Sequence, residues 1–244
     1  ADGGVVVKLV NAVPGNLDRG LPSIMGQVLL SDPETGAWQA LLDGSELTAR
    51  RTAAASALAA RYLARAEAAT MAMLGTGRLS RALIEAMATI RPIRRVRVWG
   101  RTAAHAEAVA AWAREAGFEA EACDREAAVR GADIVSCATL STDPLVPGAW
   151  LEPGMHLDLV GAFKPSMREC DGAAVAAATV FVDTRAGALA EGGDLVQAAA
   201  EGAFEAGQEA ADLAELCGGS HQGRRSSDEI TLFKSVGASV EDYA

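Results

Sequence analysis

Six consecutive residues, Gly75-Thr76-Gly77-Arg78-Leu79-Ser80, limit what this chain can become more than any other feature. They follow a short apolar run at 70–74 that reads as a strand, and they open a run of helix formers at 79–90 that Pro92 ends. Alone, a GxGxx turn with a small residue after it is also found in ordinary strand-to-helix connections. Between a strand and a helix it is the arrangement that lays a dinucleotide pyrophosphate against backbone N–H groups. Gly75 permits the tight turn, Gly77 leaves room for a phosphate, and Ser80 is small enough for the helix to pack on the strand. Gly75, Gly77, Arg78 and Leu79 are therefore candidate cofactor-binding residues, with the helix start supplying free N–H groups and a partial positive charge.

An alternation of strands and helices surrounds that turn. Strands are expected at 96–99, weakly at 119–123, and at 134–138, 157–160 and 180–182; helices are expected at 102–116, stopped by Gly117, and at 125–130. This order predicts an α/β fold, a Rossmann-type doubly wound parallel sheet with helices on its faces. Ahead of it, apolar runs at 5–10, 26–30 and 37–42 are separated by turn residues and read as a small β-meander. A long helix at 51–65 follows, with Thr48 as its candidate N-cap. Near the end, 218–227 reads as a Gly- and Ser-rich loop, and 230–236 is apolar again.

The second strand of the alternation decides which dinucleotide fits. An NAD site usually places Asp or Glu at its end, about 20 residues past the glycine turn. Here the strand ends Trp99-Gly100-Arg101-Thr102, without a carboxylate. Arg101 is suited to pair with a 2′-phosphate and stack on adenine, and the Thr102 hydroxyl to donate to the same phosphate. NADPH is the expected cofactor, NADH remaining open, and the alternative is a solvent-facing Arg101 beside an N-cap Thr102.

Composition removes other classes. Lys and Arg number 22 against 32 for Asp and Glu, a net charge of −10, so a nucleic-acid partner has no overall electrostatic drive. Arg94, Arg95 and Arg97 form a local anion site or, more simply, a solvated strand edge. Four cysteines with no CxxC and three histidines with no ligand spacing predict neither a metal site nor a disulfide framework. No apolar run reaches the ~18–20 residues of a membrane span, and residues 1–4 do not read as a signal peptide. No membrane partner is expected, and the expected compartment is the cytoplasm.

Five segments in order, Lys8-Leu-Val-Asn11, Leu47-Thr-Ala-Arg-Arg51-Thr-Ala-Ala, the glycine turn, Leu159-Val-Gly-Ala-Phe163-Lys-Pro-Ser-Met-Arg-Glu169 and Thr231-Leu-Phe-Lys-Ser-Val-Gly237, make the chain resemble the ornithine cyclodeaminase/mu-crystallin family. The resemblance implies a Rossmann domain at 53–221. It also implies a smaller α/β domain at 1–52 together with 222–244 that binds substrate and forms a homodimer. Lys8 and Arg51 match the family's substrate-carboxylate residues, and they are the candidate catalytic residues. That role suits their chemistry, because an imino or amino acid needs cationic donors to hold its carboxylate; the alternative is a snorkelling lysine and a helix-end arginine. Thr139 and Ser141, after the fourth strand, and Gly161, after the fifth, would lie along the cofactor.

Ornithine cyclodeaminases resemble VGGD-C-P where this chain has Val160-Gly-Ala-Phe163-Lys-Pro165, so their catalytic aspartate falls on Phe163, which cannot accept a proton. The segment instead looks like the branch that reduces cyclic imino acids, the Δ1-pyrroline-2-carboxylate or ketimine reductases. The implied activity is NAD(P)H-dependent reduction of Δ1-pyrroline-2-carboxylate or Δ1-piperideine-2-carboxylate to L-proline or L-pipecolate. Ornithine cyclodeamination, alanine dehydrogenation, a non-catalytic NADPH or small-ligand binding protein of mu-crystallin type, and an inactive fragment are the alternatives, since against the family both chain ends look short. Lys8 or Lys234 is the candidate proton donor, with a surface lysine the plainer reading of Lys234. Glu46, Glu169 and Asp194 read as carboxylates that cap turns or helix starts.

Overall fold

A computed structural model describes residues 5–22 and 24–243, so residues 1–4, read above for a signal peptide, lie outside the described residues. The chain divides into two compact units, Ala1–Arg51 with Ser239–Ala244, and Thr52–Ala238.

In the smaller unit, β1 (Val6–Ala12), β2 (Ile24–Ser31) and β3 (Trp38–Asp43) form the expected antiparallel meander, in which Lys8 stands opposite Val28 and Leu29 opposite Leu41. The β2–β3 turn is held by Asp32, whose Oδ1 accepts from the Glu34 and Thr35 amides and from the Thr35 hydroxyl. Helix α1 (Gly44–Leu63) starts earlier than the sequence suggests. Its opening N–H groups at Ser45 and Glu46 donate to Asp43 Oδ1 at 2.8 and 3.2 Å, so Asp43 does the capping expected of Thr48. Thr48 lies inside the helix and donates to Gly44 O at 2.6 Å. A Cβ on Gly44 would come within 2.6 Å of the Gly26 carbonyl carbon, which explains why this junction needs glycine.

The larger unit is built on an eight-stranded sheet in the order β10-β9-β11-β8-β7-β4-β5-β6. Its strands are β4 (Thr70–Leu74), β5 (Arg95–Trp99), β6 (Glu119–Ala122), β7 (Ile134–Cys137), β8 (His156–Leu159), β9 (Thr179–Val182), β10 (Ala211–Asp212) and β11 (Thr231–Lys234), and every neighbouring pair is parallel. Helices α2 (Arg78–Ile90), α3 (Ala103–Glu115), α4 (Arg125–Val129), α5 (Gly172–Ala177), α6 (Arg185–Glu191), α7 (Gly193–Ala200) and α8 (Leu213–Gly218) accompany the sheet, and α9 (Ser239–Tyr243) belongs to the smaller unit. Alternate β4 residues feed two different cores. Met71 and Met73 pack with Leu83, Ile84 and Val98, whereas Ala72 and Leu74 pack with Val135, Leu157 and Val182. Burial of both faces is what a parallel sheet demands, and it accounts for the unbroken apolar runs.

Three arginines and an aspartate secure the amino-terminal edge of this arrangement. Arg91 Nη2 donates to the carbonyls of Ala60, Arg61 and Ala64, capping the end of α1. Arg224 donates to Leu63 O at 2.6 Å and to Met155 O at 3.1 Å. Asp133, paired with Arg65, accepts the Ala69 and Thr70 amides at the start of β4.

The larger unit extends past the boundary expected at 222. Residues 222–238 belong to the larger unit, and β11 pairs with both β8 and β9. All four β11 residues are buried, so this apolar tetrapeptide is a central strand with two flanks to satisfy; only Ser239–Ala244 groups with the N-terminal meander. Helices α5, α6, α7 and α8, short and rich in Ala and Gly, were not foreseen in the alternation. Replacing Phe233, fully buried in β11, by Ala should cost about 3–5 kcal/mol. The measurement is the urea midpoint, and a change below about 1 kcal/mol would show that β11 is not part of the core.

Candidate functional site

The strand order places β4 and β7 side by side although the chain leaves them in opposite directions, toward β5 and toward β8. That reversal opens a crevice beyond the carboxyl ends of the two strands. Gly75 lies there with φ +124°, its N–H donating to Trp99 O at 2.9 Å. A Cβ on Gly75 would come within 2.6 Å of Ala138 O, at the end of β7, so only glycine lets the two strand ends approach this closely. Gly77 is the N-cap of α2 and no side chain caps that helix; nothing lies within 4 Å of where its Cβ would be. Buried Ser80 fixes the turn by donating from Oγ to Gly77 O at 2.7 Å.

A cleft of about 440 Å³ opens at this point, lined by Thr76, Gly77, Arg78, Arg81, His105, Ala108 and Val109. Leu79 packs against the α2 core. Arg101 is exposed, as is Thr102, which is the N-cap of α3 but makes no side-chain cap bond. An uncapped helix start, an open glycine position and cationic side chains in one cleft fit the pyrophosphate and ribose of a dinucleotide.

The ends of β7 and β8 carry the other candidates. Thr139 donates to Glu169 Oε1 from its amide (2.7 Å) and from its hydroxyl (2.8 Å), and Gly161 N donates to Glu169 Oε2 at 2.7 Å. Ser141 spends its hydroxyl locally, donating to Asp143 O at 2.7 Å. Asp194 Oδ1 accepts the Glu169 and Cys170 amides at 2.7 and 3.0 Å, while Asp194 Oδ2 lies 3.1 Å from Lys234 Nζ. The Lys234 ammonium also donates to Leu159 O at 3.2 Å.

Glu169, Asp194 and Lys234 are fully buried. Glu169 and Asp194 accept backbone amides of loop segments, as carboxylates expected at turns do, but not those of a helix start, and Lys234 is not a surface lysine but is paired with Asp194. Burial raises the Glu169 carboxyl above its ordinary range; Lys234 and the Thr139 donors pull it down, and Asp194 pushes the same way as burial. Sequence patterns flagged these positions but not their role, because isolated polar residues carry no periodic signal of burial.

Below them, Asp158 Oδ2 accepts from buried Ser136 Oγ at 2.6 Å. Burial pushes Asp158 up to about 6, against the hydroxyls of Ser136 and Ser56 and the ammonium of Lys234. His156, also fully buried, is held down to about 3, first by burial and then by Arg224 and Arg91, so it stays neutral.

In the smaller unit the structure brings Lys8 and Arg51 together. Lys8 Nζ is 2.7 Å and Arg51 Nε 3.0 Å from the same oxygen, Asp242 Oδ1, and Arg51 Nη1 is 2.6 Å from Glu241 Oε2. Two cations from β1 and α1 thus converge on one carboxylate. Phe163, at the position of the cyclodeaminase aspartate, follows β8 and has the Lys164 ammonium 5.9 Å from its ring centroid. Among the described residues no cluster of His, Cys, Asp or Glu is arranged to hold a metal ion, and no helix is long and apolar enough to cross a membrane.

Comparison with known proteins identifies related chains. The ornithine cyclodeaminase/mu-crystallin family pattern matches residues 1–244. A Δ1-pyrroline-2-carboxylate reductase of Paracoccus denitrificans is 39% identical over 243 residues, covering 98% of this chain and 76% of the relative. The Δ1-pyrroline-2-carboxylate reductase of Thermococcus litoralis, solved in complex with NADH and L-proline, superposes with a TM-score of 0.94 at 36% identity, over 98% of this chain and 75% of that one. An archaeal alanine dehydrogenase dimer with bound NAD superposes with a TM-score of 0.93 at 32% identity, over 99% and 75% of the two chains.

Asp158 is a buried acid whose folded-state pKa lies above its ordinary value, so it favours the fold fully below about pH 4, and that contribution is lost as pH rises through about 6. Asp158→Asn should therefore be more stable than the parent at pH 8, by up to roughly 3 kcal/mol. The advantage should vanish by about pH 4. Paired urea melts at the two pH values test this, and a pH-independent difference would contradict it.

Proposed function

Because the chain belongs to the ornithine cyclodeaminase/mu-crystallin family, we propose that it reduces a cyclic imino acid, Δ1-pyrroline-2-carboxylate or Δ1-piperideine-2-carboxylate, to L-proline or L-pipecolate with a nicotinamide cofactor. What carries the reading is its likeness, along nearly the whole chain, to the Thermococcus litoralis reductase solved with NADH and L-proline. Phe163 speaks against the competing cyclodeamination, which needs a carboxylate there to activate water.

The bound nicotinamide supplies the hydride. Lys8 and Arg51 hold the substrate carboxylate, a role supported by their convergence on the carboxylate of Asp242. Gly75, Gly77, Arg78 and Leu79 take the pyrophosphate at the start of α2, and Thr139, Ser141 and Gly161 flank the nicotinamide. A protonated imine is already an electrophile and needs orientation and a dry pocket more than an acid–base pair. Lys234 is withdrawn as proton donor by its buried pair with Asp194, leaving Lys8 in that role. Arg101 and Thr102, exposed where NAD sites usually carry a carboxylate, favour NADPH over NADH. Four free cysteines suit a reducing compartment, the cytoplasm.

A homodimer is part of the same reading. The meander exposes Leu9, Val10, Trp38, Leu41 and Leu42, with Trp38 62% and Leu41 65% exposed, the kind of apolar surface that a partner covers. The archaeal relative described as a dimer adds to this. Leu41→Glu should convert the dimer to a monomer in light scattering; an unchanged mass would place the interface elsewhere.

The decisive assay follows NADPH and NADH absorbance with Δ1-pyrroline-2-carboxylate. Turnover is expected, faster at low cofactor concentration with NADPH. Arg51→Ala should raise KM for the imino acid by at least about tenfold, and Arg101→Ala should erase the NADPH preference. Turnover only with pyruvate and ammonia would instead make the chain an alanine dehydrogenase, and cofactor binding without turnover would make it a binding protein.

A further inference from the structure

One carboxylate ties together the two segments on which the proposed nicotinamide site rests. Glu169 accepts three hydrogen bonds, two from Thr139 beyond β7 and one from Gly161 beyond β8, at 2.7, 2.8 and 2.7 Å. It is fully buried, so it reaches neither substrate nor cofactor. The segments it joins are too close for a side chain between them: a Cβ on Gly161 would fall on Thr139 O and on the Glu169 carboxylate itself.

The carboxylate is itself held. Asp194 at the start of α7 takes the Glu169 amide, Lys234 at the end of β11 takes Asp194, and the same ammonium donates to the last carbonyl of β8. The chain on either side is fixed as well, Arg168 by Glu201 and the Cys170 amide by Asp194. Glu169 is thus held through both carboxylate oxygens and through its own amide, and side chains locked in this way are the means by which a site keeps its geometry.

We propose that Glu169 is a positioning residue for the nicotinamide end of the cofactor: by joining Thr139 to Gly161 it sets the spacing of the segments beyond β7 and β8 that receive the ring. The inference rests on the reading of Thr139 and Gly161 as cofactor residues. It also specifies what Thr139 can offer. Both its donors are spent on Glu169 and one lone pair of its hydroxyl oxygen takes the Ser141 N–H at 3.3 Å, so toward a ligand that oxygen offers only its other lone pair, suited to an N–H such as that of a carboxamide.

The geometry makes the substitution informative. In Glu169→Gln the amide keeps the size of the side chain but must turn its NH2 toward Gly161 N–H or toward the Thr139 donors, since all three partners donate. Glu169→Asp keeps the charge beside Lys234 but is one methylene too short to span both segments. The experiment compares the whole chain with each variant by calorimetric titration of a dinucleotide and of the same molecule lacking nicotinamide. The pairs are NADH with ADP-ribose, or NADPH with 2′-phospho-ADP-ribose if the parent prefers NADPH.

Glu169→Gln should raise the dinucleotide Kd by at least about tenfold and leave that of the truncated ligand within about twofold. Equal weakening of both ligands would reduce Glu169 to a structural residue, and no change in either would remove the role altogether; both results overturn the proposal. If Glu169→Gln does not unfold cooperatively, Glu169→Asp is read in the same way. A parent chain that binds the dinucleotide but does not reduce the imine would sink the proposed activity and leave this test intact.

Discussion

An ammonium group inside a sheet must be paired, because an isolated buried charge is far costlier than any single contact can repay. Lys234 has no exposure and lies 3.1 Å from Asp194. This pair joins the last strand of the larger unit to α7, and through the Asp194 bonds to the Glu169 amide it reaches the segments after β7 and β8. A buried ion pair contributes little net stability, but removing one partner leaves the other uncompensated. Its consequence here is geometric: the pair and its hydrogen bonds tie β11, α7, β8 and the segment carrying Glu169 to one another.

The same end of the sheet is where the dinucleotide features gather. Gly75 touches the end of β7 closely enough to exclude a side chain, Gly77 leaves α2 uncapped, and Thr139 and Gly161 share one carboxylate. None of these groups is arranged as an acid–base pair. His156 is buried neutral, Lys234 is committed to Asp194, and Phe163, where the family resemblance puts a cyclodeaminase's aspartate, has no ionisable group. The arrangement suits a reaction whose chemistry comes from cofactor and substrate and whose protein contribution is placement.

The smaller unit applies a different principle. Lys8 and Arg51 are far apart in sequence, yet both reach one oxygen of Asp242, with Glu241 completing the set. Opposite charges at these distances in partly buried surroundings bind more strongly than exposed pairs do. Two cations held this way are already organised for a carboxylate, which is the property that a substrate-holding role requires.

Local patterns were enough to reveal several elements of both units. The strand at 70–74, the glycine turn, α2, α3 stopped by Gly117 and the meander were all legible, because period, caps and glycine turns are properties of neighbouring residues. The start of α1 differs from the expectation, since Asp43 rather than Thr48 meets its first N–H groups. The domain boundary differs as well, because an apolar tetrapeptide does not say which sheet will take it. Residues 231–234 became a central strand only through pairing with β8 and β9, both distant in sequence. The burial of Lys234, the sharing of Glu169 between two strand ends and the convergence of Lys8 with Arg51 likewise depend on long-range packing. By itself the sequence determined the α/β class, the glycine turn between strand and helix, and the residue types available for a carboxylate. Tertiary structure alone decided which charges are buried together, because burial and pairing belong to side chains that meet across the fold rather than along the chain.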